Sequence, residues 1–178
     1  FDPFWERVEA DIPVGMHGSD DGQTKYLNVW EGGADGEYLP FKTANAFEEV
    51  FRSYHRGIMD AMASAVCHGL FTRFPTLRIL PIENGSRWVG PLLDALAHTQ
   101  EMQPTLFPED PVAVFKRNIW VHPFHEDDPM DVVRLIGADR VLFGSDYPHP
   151  EGLAEPTSYV DQLADLPHDD ILDLLIRA

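Results

Sequence analysis

The sequence predicts an α/β protein built from parallel βαβ units, and three observations carry that prediction. Four short apolar runs alternate with stretches of helical periodicity. Each run is nearly continuous rather than alternating, as a strand buried on both faces requires. Polar residues gather where the runs end: His17, Glu83 with Asn84, His122 with His125, and Asp146 with His149. Strand–helix alternation of this kind forms right-handed crossovers with helices outside. Ligands and chemistry in such folds sit beyond the C-terminal ends of the strands. An open doubly wound sheet shares the pattern with a closed barrel, but no glycine-rich dinucleotide turn is present.

The elements follow in order. Phe1, Phe4, Trp5 and Val8 recur at helical spacing. Ile12 to His17 is the first strand, ended by Gly18-Ser19-Asp20-Asp21-Gly22. A loop rich in glycine and acid runs on toward Pro40, with Trp30 and Tyr38 as aromatics able to line a pocket. Thr43 or Asn45 caps a long helix. Its core stripe is Phe47, Val50, Phe51, Tyr54, Ile58, Met62, Val66 and Leu70, bracketed at the end by Gly69 and Pro75. Leu77 to Glu83 is the second strand, and Trp88 to about Met102 a helix with Leu92, Leu93 and Leu96 on one face. Asp110-Pro111 opens a helical turn through Phe115, proline at the first helical position wasting no donor. Asn118 to Phe124 is the third strand. Asp128-Pro129 opens a helix closed by Gly137, Arg140 to Asp146 is the fourth strand, and two short helical stretches finish the chain.

Composition narrows the function. At about 150 residues per domain, 178 residues make one domain. An apolar share of 44% supports a core. Thirteen basic against thirty acidic residues give a net charge of −17. That charge repels phosphate backbones and anionic lipid heads, which argues against nucleic-acid and membrane partners. No apolar run approaches the roughly 20 residues that cross a bilayer. The single cysteine, Cys67, excludes an intrachain disulfide and fits a reducing cytoplasm. Its place near the apolar stripe predicts a buried small hydrophobe.

The strand ends supply the candidate site. His17 is either a metal ligand or a histidine bonded to backbone. Asp146 is either a metal ligand and proton acceptor or a turn cap. Glu83 is either an acid, base or substrate anchor, or the partner of Arg87 or Arg78. His122 points toward the site, whereas His125 belongs to the acidic loop with Glu126, Asp127 and Asp128. Ser145 lacks the glycine spacing of a nucleophile elbow.

Four stretches are recognisable: Ile12-Pro13-Val14-Gly15-Met16-His17, the run from Gly69 to Arg78, Glu83-Asn84-Gly85-Ser86-Arg87-Trp88, and the run from Val141 to His149. In that order they resemble the amidohydrolase-related metal-dependent hydrolases. This branch of the amidohydrolase superfamily also contains aminocarboxymuconate-semialdehyde decarboxylase. The resemblance implies a (β/α)₈ TIM barrel of which this chain supplies strands five to eight. It also implies one divalent metal, zinc first and manganese second, held by His17 and Asp146. Asp146 would be the catalytic acid–base, with Glu83, His122 and His149 binding substrate or supporting the site. The family's His-x-His pair from strand one is absent from this sequence. Glu83 stands where the decarboxylases of the branch place a histidine, which favours hydrolysis.

The expectation is therefore the C-terminal half of one barrel domain, from a longer protein. That protein would be a metal-dependent hydrolase of a small, cyclic carboxylate, ester, lactone or amide. A metal-dependent decarboxylase is the alternative enzyme, and a catalytically silent half-barrel the alternative of another class. With two protein ligands instead of three or four, the chain alone is expected to bind metal weakly and to be inactive. Its open sheet edges would favour a homo-oligomer.

Overall fold

The computed structural model describes residues 1–9, 11–18, 24–30, 46–47, 50, 55–124, 126–144, 146, 148–150 and 152–169. The elements are α1 (Asp2–Val8), β1 (Val14–His17), α2 (Thr24–Trp30), α3 (Arg56–Cys67), α4 (Leu70–Arg73), β2 (Ile79–Ile82), α5 (Val89–Met102), α6 (Pro111–Asn118) and α7 (Pro129–Ile136). Short 3₁₀ turns span Pro104–Leu106, Ala138–Arg140 and Pro156–Leu163.

The sheet follows the order of the sequence. β1 pairs parallel with β2, Val14 opposite Ile79 and His17 opposite Ile82. Parallel bridges then join Ile79 to Ile119 and Val121 to Val141. The Trp120 amide donates to the Ile79 carbonyl at 3.0 Å, and the Leu142 amide to the Val121 carbonyl at 2.8 Å. All four expected strands thus lie side by side, the third and fourth reduced to single bridges. Pro81 contributes to this reduction: it has no N–H to give, and the His122 amide reaches its carbonyl only at 3.4 Å.

Helices cover the sheet. Met62 from α3, Phe71 from α4, Val89 from α5 and Phe115 from α6 are fully buried with Ile79, Ile119 and Val121. α6 and α7 begin as their sequences predict. The Asp110 carboxylate accepts from the Val112 and Ala113 amides at 2.9 and 3.2 Å, and Asp128 accepts from Met130 at 2.9 Å. Asn118 extends α6 beyond Phe115, because its buried amide donates to the Pro75 and Leu77 carbonyls at 2.9 and 2.7 Å.

Several expectations are corrected. A helix, α2, stands in the stretch read as loop, and its Trp30 is exposed. Phe47 and Val50 are exposed rather than part of the core stripe, whereas Ile58, Met62, Val66 and Leu70 are buried. His55 adopts φ 45° immediately before α3, and Gly69 adopts φ 67° before α4, so the helix is divided at both points. Cys67 is exposed. It follows Val66 by about 100° around the helix, which takes it off the buried face. Tyr38, Thr43, Asn45, Phe51, Tyr54 and the last predicted helical stretch lie outside the described residues. Among the described residues no helix is long and apolar enough to cross a membrane.

Trp88 anchors the turn after β2. It is fully buried, its Nε1 donates to the Gly85 carbonyl at 3.0 Å, and its ring meets Phe115 edge-on at 5.9 Å. Trp88→Ala is expected to cost about 4 kcal/mol in urea unfolding. Trp88→Phe, which keeps most of the volume but leaves that carbonyl unpaired, should cost roughly 1–3 kcal/mol.

Candidate active site

β1 delivers His17 to the mouth of the sheet. The ring Nδ1 lies 2.6 Å from the Gly18 carbonyl and so carries a proton that it donates there. Nε2 faces Glu83 Oε2 at 3.0 Å. Gly18 is required at this crossing because a Cβ there would overlap the Glu83 carbonyl.

Glu83 leaves β2 in the left-handed region, at φ 51°. Its amide donates to His122 Nδ1 at 3.2 Å. The next residue, Asn84, donates through Nδ2 to the Met16 and Ile82 carbonyls, both at 2.8 Å, tying the ends of β1 and β2 together. Arg87, considered above as a partner for Glu83, instead faces Asp127 at 3.4 Å.

His122 is buried between these groups and the last strand. Because Nδ1 accepts from the Glu83 amide, the ring proton resides on Nε2. Nε2 is buried and, among the described residues, finds no hydrogen bond of good geometry. It rests on Gly144, where a Cβ would coincide with the ring. Burial holds this imidazole below the usual histidine pKa. The Gly144 backbone and the Glu83 and Asp146 carboxylates pull it upward, while His17 pushes it further down.

Asp146 also lies in the left-handed region, at φ 56°. Its Oδ1 faces His149 Nδ1 at 3.0 Å, and the His149 amide donates to the Asp146 carbonyl at 2.9 Å. His149 thus closes the turn and orients the carboxylate. His125 and Ser145 lie outside the described residues. Asp127, placed by the sequence in the acidic loop with Glu126 and Asp128, is buried. Nothing in its local sequence distinguishes it from its exposed acidic neighbours; its role depends on Ser86, 41 positions away.

The donors suit a divalent cation. An imidazole nitrogen oriented by a backbone carbonyl, with carboxylate oxygens nearby, is the ligand chemistry of zinc and manganese. Among the described residues, no three His, Cys, Asp or Glu side chains form a group able to hold an ion by themselves.

The lowered pKa of His122 has a consequence for stability. The unfolded chain takes up this proton more readily than the folded one. Stability should therefore be full above the ordinary histidine value of 6.5 and fall as pH drops below it. Urea titrations across that range should show the decline, and His122→Gln should flatten it.

Comparison with known proteins bears on the whole chain. An amidohydrolase from Mycobacterium avium subsp. paratuberculosis is similar over 98% of this chain and 43% of its own, with 41% identity and a TM-score of 0.86. A dihydroxybenzoic acid decarboxylase from a Polaromonas species, with bound manganese and the inhibitor 2-nitroresorcinol, gives 19% identity and a TM-score of 0.60. It is matched over 97% of this chain and 50% of its own. A 5-carboxyvanillate decarboxylase from Sphingomonas paucimobilis gives 19% and 0.66, over 98% of this chain and 50% of its own. The chain thus spans about half the length of these structures, and the likeness shows a TIM-barrel-like α/β fold. The amidohydrolase family is matched over residues 1–173, and the chain belongs to that family.

Proposed function

We propose that this chain forms strands five to eight of a (β/α)₈ barrel in a metal-dependent hydrolase. Its substrate would be a small, cyclic carboxylate, ester, lactone or amide. The observation that carries the reading is the contact of His17 Nε2 with Glu83 Oε2 at the strand mouth, with the Glu83 amide bonded to buried His122. His17 and Asp146 would hold one divalent ion, zinc or manganese, which would supply Lewis acidity toward the substrate carbonyl.

The residues of this chain divide the remaining work. Asp146 accepts the proton of the attacking water at its carboxylate and passes it to the leaving group. His149 Nδ1, 3.0 Å from Asp146 Oδ1, fixes the direction of that carboxylate. Glu83 Oε2 lies 3.0 Å from His17 Nε2 and is placed to orient that ring. His122, whose buried ring accepts from the Glu83 amide and rests on Gly144, supports the ends of the strands that carry Glu83 and Asp146.

Decarboxylation is the second reading. Two of the similar structures are decarboxylases. Against it stands Glu83, whose carboxylate occupies the end of β2. Small-molecule chemistry in the cytoplasm suits both readings, and a homo-oligomer would cover the sheet edges.

Product analysis separates the two. A whole barrel that contains this chain, loaded with zinc or manganese, should hydrolyse members of an ester and lactone panel. Asp146→Asn should lower kcat by about a hundredfold or more. Release of carbon dioxide from an aromatic acid would overturn the hydrolase reading, and absence of any turnover would favour a silent binding module.

A further inference from the structure

We propose that Asp127 is a positioning residue for Glu83, clamping the turn after β2 so that the Glu83 carboxylate faces His17. The inference rests on the reading of Glu83 given above. Asp127 is a charged side chain only 9% exposed. Its Oδ2 accepts three hydrogen bonds: from the Ser86 amide at 2.8 Å, the Ser86 hydroxyl at 2.9 Å and the Phe124 amide at 3.3 Å. Its Oδ1 faces Arg87 Nε at 3.4 Å. A buried carboxylate persists only when its oxygens are satisfied in this way.

The bonds join two loops that carry the site. Ser86 and Arg87 follow Glu83 by three and four residues, and Phe124 follows His122 by two. Gly85 passes between them at φ 57°; a Cβ there would lie 2.9 Å from the Phe124 ring and 3.2 Å from Asp127 Oδ2. On the other side, Asn84 is pinned to the Met16 and Ile82 carbonyls. Glu83 is therefore held between fixed points in a left-handed conformation that a non-glycine residue does not keep unaided. Releasing the Asp127 side lets its φ return to negative values and turns the carboxylate away from His17.

The test needs neither metal nor substrate. In the 178-residue chain, imidazole ¹⁵N resonances of His17 at one neutral pH report its bond to Glu83, with Glu83→Gln marking the position when that bond is lost. Asp127→Ala should move the His17 resonances most of the way to that position. It should also speed hydrogen exchange of the Glu83 amide about tenfold. Asp127→Asn, which keeps an oxygen acceptor, should restore most of both signals. Asp110→Ala, which removes the cap of α6 and weakens the fold elsewhere, should leave His17 unmoved. Should Asp127→Ala fail to fold, Ser86→Ala should give a smaller shift in the same direction. Unmoved His17 resonances in these Asp127 and Ser86 variants, or an equal shift in Asp110→Ala, would overturn the clamp. If these shifts appear while the whole metal-loaded barrel hydrolyses nothing, the hydrolase reading is refuted and the clamp stands.

Discussion

The Glu83 amide donates to Nδ1 of a buried imidazole whose other edge rests on Gly144, and the mouth of the sheet is arranged around that contact. His122 sits on the third strand, between the strand that ends in Glu83 and the one that ends in Asp146. A neutral ring can bridge them because burial disfavours its charged form. A side chain at position 144 would expel it. The contact therefore decides three things at once: the tautomer of His122, the turn of Glu83 and the need for glycine two residues before Asp146.

Backbone strain collects at the same end of the sheet. Among the described residues, the non-glycine positions with positive φ are His55, Glu83 and Asp146. Such conformations cost of order 1–3 kcal/mol each and survive where the surroundings over-determine them. At Glu83 the surroundings are His122, Asn84 and the Asp127 clamp. At Asp146 they are the His149 ring and amide. The strain turns each carboxylate off the line of its strand, Glu83 toward His17 and Asp146 toward His149.

Much of this was legible in the sequence, for identifiable reasons. Val14 to His17, Ile79 to Ile82 and the Asp-Pro helix starts at 110 and 128 are local signals, fixed by apolar continuity and by capping chemistry. The strand-end positions of His17, Glu83, His122 and Asp146 follow from the same continuity. The roles of Asp127 and Gly144 were not legible, because each depends on a contact with a residue distant in sequence. The exposure of Phe47 and Val50 was misread because periodicity shows which residues share a face but not where the helix ends or what covers it. α2 was missed because the segment containing it reads as glycine and acid.

The central claim is that this mouth is a cation site built on His17 and Asp146, with Glu83 as the adjoining acid. Crystals of a whole barrel containing this chain, soaked in manganese and measured at the metal absorption edge, test it most directly. The account predicts an anomalous peak at ligand distance, roughly 2.0–2.2 Å, from His17 Nε2 and an Asp146 oxygen, with the His17–Glu83 contact opened. A peak confined to the acidic loop of Asp127, Asp128 and Asp131, with His17 still bonded to Glu83, would contradict it.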